Sequence, residues 1–205
     1  MVRHGETVWH AENRYTGASD IALTGRGREQ AKRLAAWAAT AGLAACWSSP
    51  LTRAVTTLEP AAAAAGLEPR HDRRLREVEF GDGEGLTGAE MRERFPDRYA
   101  AFERDPVGSH LPGGEDPVEA VERATACLDE IASEFDGGRV LVVWHSTLMR
   151  VVLCDWLGIP LSEYRRTLPL VRNVGLTEVR VAGGRRSLLQ YNTPIDMAAP
   201  EEDRR

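Results

Sequence analysis

Five side chains far apart in the chain, Arg3, His4, Arg53, Glu77 and His145, are of types that handle an anion and move protons around it. His4 follows a short apolar stretch and precedes Gly5, with Arg3 beside it. His145 ends the wholly apolar run Val-Leu-Val-Val-Trp at 140–144, and residues just past strand ends are where function concentrates. Arg53 stands in the first turn of a predicted helix, where a cation opposes the helix dipole, so another reason must place it there. A guanidinium grips phosphate oxygens with a fixed fork of donors. Glu77, between Arg76 and Val78, reads on its own as an ordinary solvated carboxylate. Rival chemistries fare poorly. Cys46 to Arg53 is one residue too long for the Cys-x5-Arg loop of cysteine phosphatases. The chain has no Gly-x4-Gly-Lys loop, no His-Glu-x-x-His and no aspartate pair shaped for magnesium. His4 and His10 as zinc ligands lack convincing third partners.

A scaffold that brings these residues together must end its strands on one side. Residues 1–3 read as the close of a strand, and 5–23 as a loop. Thr24 caps a helix whose apolar positions Ala31, Leu34, Ala35, Ala38 and Ala41 fall at helical spacing as far as Gly42. A strand over 43–47 breaks at Ser48-Ser49-Pro50, and a second helix over 51–65 stops at Gly66. Residues 70–79 read as strand or loop, punctuated afterwards by Gly81, Gly83 and Gly85. Thr87 and Glu90 make a capping box that opens the first of two short helices, 87–95 and 97–105. A loop rich in proline and glycine follows to Glu115, so 87–115 is the candidate for a lid insertion. Asp116, Pro117 and Glu119 start a helix that runs to about Phe135. The continuous apolar run at 140–144 predicts a central strand covered on both faces. A helix over 147–157 and a hairpin of 174–181 with 187–191 complete the chain, and the tail after Pro194 is expected to fray. Strands alternating with helices predict an α/β fold: one domain over 1–205, a three-layer α/β/α sandwich with a mostly parallel, doubly wound sheet and a small helical lid. Ligands of such sheets bind beyond the carboxyl ends of the strands, where Arg3-His4 and His145 both fall.

Arg3-His4-Gly5-Glu6-Thr7 resembles the signature of the histidine phosphatase superfamily, the phosphoglycerate-mutase-like enzymes. Further matches follow in family order: Asn13-Arg14-Tyr15-Thr16-Gly17, Leu23-Thr24 with Gly27, Ser49-Pro50-Leu51-Thr52-Arg53-Ala54, Leu75-Arg76-Glu77 with Gly81, Pro112-Gly113-Gly114-Glu115, and Val142-Val143-Trp144-His145. The resemblance spans nearly the whole chain. It implies that His4 is the nucleophile that forms a phosphohistidine, that Arg3, Arg53 and His145 surround the phosphate, and that Glu77 is the general acid. It also implies that Thr16 and Gly17 contact the phosphorylated ligand, as in the mutase branch. Charge neutralisation by two arginines and a histidine suits a phosphate monoester without a metal. Two departures stand out. His10 occupies the position of a customary phosphate-binding asparagine, and Ser146 replaces a frequent glycine whose backbone N–H would still serve.

Composition narrows the setting. The chain has 205 residues and a net charge of −5, with no basic cluster along a helix face, so a nucleic-acid partner is not expected. No apolar run reaches membrane-spanning length and no leader is apparent, which makes the cytoplasm the default location. Cys46, Cys127 and Cys154 read as buried small hydrophobes. The expectation is a phosphoric monoester hydrolase acting on a small phosphorylated metabolite, with no cofactor, as a monomer or homodimer. The alternatives are a mutase that moves phosphate between hydroxyls and a non-catalytic binder of a phosphorylated ligand. The short segment between Glu77 and His145 favours hydrolysis, because a mutase must exclude water from its phosphoenzyme.

Overall fold

The strand β4 (Arg139–Trp144) is apolar on both faces because it divides two cores. Val142 and Trp144 pack with α5 (Pro117–Glu134) and α6 (Ser146–Trp156), while Leu141 and Val143 pack with α1 (Gly25–Ala38) and α2 (Thr52–Ala65). That two-residue alternation is the pleat of a strand, and each side chain so buried contributes about 1.5–3 kcal/mol. The computed structural model describes residues 1–195, so the expectation of a frayed tail falls almost entirely outside the described residues.

Among those residues six strands form one sheet in the order β3-β2-β4-β1-β5-β6, with β1 (Val2–Arg3), β2 (Leu43–Ser48), β3 (Pro69–His71), β5 (Leu176–Ala182) and β6 (Arg185–Thr193). β3, β2, β4 and β1 run parallel, and the β5–β6 hairpin adds two antiparallel strands beyond β1. The three layers are the expected α/β/α arrangement. A smaller third core of Phe80, Met91, Tyr99, Phe102 and Leu111 knits α3 (Gly88–Arg94) and α4 (Pro96–Arg104) onto the loop at Phe80. No helix among the described residues is long and apolar enough to cross a membrane. All three cysteines are buried and free.

Helix starts follow local chemistry. Thr24 Oγ1 accepts the Gly27 N–H at 3.0 Å, Asp116 accepts the Val118 N–H at 2.8 Å, and Thr87 with Glu90 forms the reciprocal capping box. Elsewhere the boundaries shift. α1 ends at Ala38 rather than Gly42, because a turn is needed before β2 and Gly42 supplies it at φ +64°. α2 has no side-chain cap of its own: Leu51 precedes it, and Asp20 from a distant loop accepts both the N–H and the hydroxyl of Thr52, at 2.8 and 2.6 Å. The stretch after α6 has no counterpart in the sequence reading. It holds a 3-10 turn, Leu161–Glu163, and the single-turn α7 (Tyr164–Thr167), whose Tyr164 is buried.

Candidate active site

The parallel pairing of β1 with β4 sets Arg3 opposite Trp144, so the next residues along, His4 and His145, leave the sheet side by side. Their ring centroids are 5.3 Å apart and their planes are tilted by 57°. This is the convergence the separate motifs required.

Each ring has a defined tautomer. His4 Nδ1 lies 2.7 Å from the Gly5 carbonyl oxygen, which can only accept, so Nδ1 carries the proton and Nε2 keeps a bare lone pair. His145 Nδ1 accepts from Arg53 Nε at 3.3 Å, so its proton is on Nε2, a buried donor with no partner among the described residues. Burial, and then the charges of Arg53 and neighbouring cationic groups, hold both imidazoles well below the usual histidine range. Both are neutral near pH 7.

The loop carrying His4 is held on three sides. Its Gly5 N–H donates to Thr57 Oγ1 at 2.9 Å, and that hydroxyl donates to the Arg53 carbonyl at 2.7 Å. Asn173 Nδ2 donates to the His4 carbonyl at 2.7 Å. On the third side the backbone of Glu6 touches α1 so closely that a Cβ on Gly27 would stand 2.1 Å from the Glu6 oxygen.

Arg53 has the other reason for its place in α2. Its side chain is fully buried and donates to the carbonyls of Ser19 (2.6 Å), Gly17 (2.8 Å) and Thr16 (3.4 Å) as well as to His145. Those carbonyls are fixed in turn by Glu84, which accepts the N–H groups of Gly17 and Ser19 near 3.0 Å. Arg3 Nη1 donates to the Val171 carbonyl at 2.9 Å, while its buried Nε has no partner among the described residues. Burial brings the Arg3 pKa down to about 10, still far above neutrality.

His10 faces the site rather than solvent. The Thr7 N–H donates to its Nδ1 at 3.0 Å, and Arg3 Nη2 lies 2.7 Å from its Nε2. A neutral imidazole has one proton for two nitrogens. With Nδ1 accepting, Nε2–H and Arg3 are two donors meeting at one point, an arrangement that suits an anion oxygen taking both. Protonation gives no relief, since burial and then Arg3 push the His10 pKa down to about 3.

Glu77 is buried against the start of α6. Its Oε1 accepts the N–H groups of Leu148 (2.8 Å) and Val78 (3.1 Å), and its Oε2 accepts that of Thr147 (2.9 Å). Oε1 is thus fully used, and Oε2 has a lone pair left. It is not the solvated carboxylate that its neighbours in sequence suggest.

A cavity of about 270 Å³ opens over these groups, with Arg3, His4, His10, Thr16, Glu77 and Ser146 on its wall. Three of the expected site residues stand differently. Arg53 and His145 are fully buried and do not line the cavity, although the His145 ring lies 5.3 Å from that of His4, which does. Gly17 is set back too: its N–H is taken by Glu84 and its carbonyl by Arg53, so it holds Arg53 in place instead of offering a donor to a ligand. Sequence reading missed Asn173, Glu84 and two arginines of the wall, Arg150 and Arg165. Only Arg150 had a signal, four residues beyond Ser146 on one helix and therefore on the same face.

The geometry has counterparts. The family model of the histidine phosphatase superfamily, branch 1, matches residues 1–194. The chain is 32% identical over 164 residues to phosphoserine phosphatase 1 of Hydrogenobacter thermophilus, covering 80% of this chain and 78% of that protein. It is 35% identical over 177 residues to phosphoglycerate mutase-like protein 4 of Arabidopsis thaliana, covering 85% and 72%. Among solved structures, the native mycobacterial glucosyl-3-phosphoglycerate phosphatase superposes with a TM-score of 0.85 at 27% identity, covering 95% of this chain and 97% of that one.

Proposed function

The chain belongs to the histidine phosphatase superfamily, and from that premise we propose that it hydrolyses a small phosphomonoester through a phosphohistidine on His4, without a metal. The observation that carries this reading is the pairing at the sheet's end: a bare Nε2 on His4 beside an unspent Nε2–H on His145. Buried donors without partners are rare in proteins, and of the six such nitrogens among the described residues two, His145 Nε2 and Arg3 Nε, belong to residues flanking the nucleophile. A phosphoryl group satisfies both.

In the first step His4 Nε2 attacks phosphorus in line, forming the N–P bond as the bond to the leaving oxygen breaks. The His145 and Arg3 donors, with the backbone N–H of Ser146, take the equatorial oxygens, and Arg53 adds positive charge from behind. Glu77 gives its proton to the leaving alkoxide. The remaining lone pair on Oε2 supports that oxygen as the carrier. Glu77 then takes a proton from the water that attacks the phosphohistidine, which releases inorganic phosphate and restores the starting state. Thr16 and His10 contact the substrate from the wall, where Arg14 is held by its ion pair with Glu90 at 2.8 Å.

A cavity of about 270 Å³ suits a metabolite rather than a protein segment. Two of the similar proteins are named for phosphoserine and glucosyl-3-phosphoglycerate, both small phosphomonoesters. The likeness to a mutase-like protein keeps phosphoryl exchange as the competing reading. One comparison separates the possibilities. In EDTA, wild type should release phosphate from p-nitrophenyl phosphate and His4→Ala should lose at least about a thousandfold in kcat. Loss of wild-type activity in EDTA, or turnover surviving in His4→Ala, defeats the proposal. Exchange on 3-phosphoglycerate without free phosphate would assign the mutase reaction instead.

A further inference from the structure

Two guanidiniums on the cavity wall, Arg150 and Arg165, have no part in the steps above. Arg150 folds back over the first turn of α6, where its Nε donates to the Ser146 carbonyl at 3.2 Å, and its guanidinium carbon sits 4.7 Å from the centre of the Tyr164 ring. Arg165 donates from Nε to Tyr164 Oη at 3.0 Å and lies 5.5 Å from the same ring centre and 4.5 Å from that of Phe102. With 4.7 and 5.5 Å to one shared point, the two guanidinium carbons are at most about 10 Å apart. Tyr164 is only 3% exposed, so both cations rest on a fixed platform.

Neither arginine pairs with a carboxylate among the described residues, and in each the two terminal nitrogens carry no hydrogen bond. A shortage of acids is not the cause, since aspartate and glutamate outnumber lysine and arginine 31 to 26. Arg14, on the same wall, is paired with Glu12 and Glu90, and Arg123 nearby with Glu115. Stacking on an aromatic ring offsets part of the repulsion between two neighbouring cations, and a shared anion would remove the rest. Arg150 also acts as a like charge on Arg3, which places it within electrostatic reach of the phosphoryl site.

We propose that Arg150 and Arg165 form a second anion subsite, so that the preferred substrates are phosphomonoesters bearing a further acidic group, a carboxylate or second phosphate, a few bonds from the phosphoryl group removed. This rests on the phosphatase reading for turnover but not for binding. Both arginines line the same cavity as His4, and their planar forks match either acid bidentately.

Matched probes test it in the full chain. 3-Phosphoglycerate and glycerol 3-phosphate differ only in carboxylate against hydroxymethyl. Fructose 1,6-bisphosphate and fructose 6-phosphate ask the same of a second phosphate. Wild type should favour the doubly acidic member of at least one pair by roughly ten- to hundredfold in kcat/KM, and Arg150→Gln or Arg165→Gln should bring that ratio close to one, mainly through KM. Which pair responds identifies the acid. An absent preference in both pairs overturns the subsite. So does a ratio that survives both substitutions, even where overall activity falls. Calorimetric titration of His4→Ala with 3-phosphoglycerate, glycerol 3-phosphate and the two fructose phosphates reads the same ratio without turnover. A preference retained there, in a protein whose wild type hydrolyses nothing, sinks the phosphatase reading and leaves the subsite standing.

Discussion

At the scale of single residues, the site's chemistry is set by which lone pairs and protons are already spent. Glu77 shows this most clearly, because three backbone N–H groups leave it one usable position on Oε2. A proton from that position matters only when the leaving group needs one. Glu77→Gln should therefore cost an alkyl phosphate about 10²–10⁴ in kcat, while p-nitrophenyl phosphate, whose leaving phenolate is stable alone, loses about tenfold or less. Equal losses on both, measured by steady-state kinetics, would reduce Glu77 to a structural cap of α6. The identity of Glu77 as special was legible only through its motif, because its burial depends on α6, which starts almost seventy residues later. Arg53 was different: a cation in a helix's first turn announced a conflict, and the carbonyls of Thr16, Gly17 and Ser19 resolve it. Asn173 gave no such sign, since an asparagine in an irregular stretch serves equally well in any turn.

At the scale of elements, local chemistry wrote the starts of α1, α3 and α5 into the sequence as Thr24, Thr87 with Glu90, and Asp116 with Pro117. What it did not write is an element fixed from far away. The start of α2 depends on Asp20, and α7 is one turn long, too short for an apolar period to register. The contact between α1 and the His4 loop belongs to this second kind, and it yields a prediction against propensity. In an isolated helix Gly27→Ala would stabilise by about 1 kcal/mol. Here the new Cβ would meet the Glu6 oxygen at 2.1 Å, and the facing Gly5 is as tightly placed, since a Cβ on it would meet the Gly27 oxygen at 2.6 Å. Gly27→Ala should lower stability by about 1–3 kcal/mol and reduce kcat by displacing His4, read as a fall in the urea midpoint together with the rate. A midpoint that rises would mean the loop yields freely and does not position the nucleophile.

At the scale of the whole molecule, the alternation of strands and helices gave the layered sheet, and the sheet's parallel register brought His4 to His145. The same packing has a thermodynamic consequence that no single motif carries. His4 and His145 are buried beside arginines and stay neutral in the fold at pH values where an unfolded chain protonates them. Above about pH 6.5 both states hold them neutral and the difference vanishes. As pH falls below that value the unfolded chain binds protons the native state refuses, so stability declines, by up to about 1.4 kcal/mol per pH unit for each histidine. Carboxylates contribute little until lower pH, which leaves a window between about pH 6.5 and 5 where the histidines dominate. His145→Gln should flatten the change in urea midpoint across this window relative to wild type. Within it, turnover per folded molecule should persist, because the neutral His4 that attacks phosphorus is the form the fold protects. A wild-type midpoint that stays level from pH 7.5 to 5 would mean that the fold accepts the imidazolium, and the electrostatic basis for a neutral nucleophile would go with it.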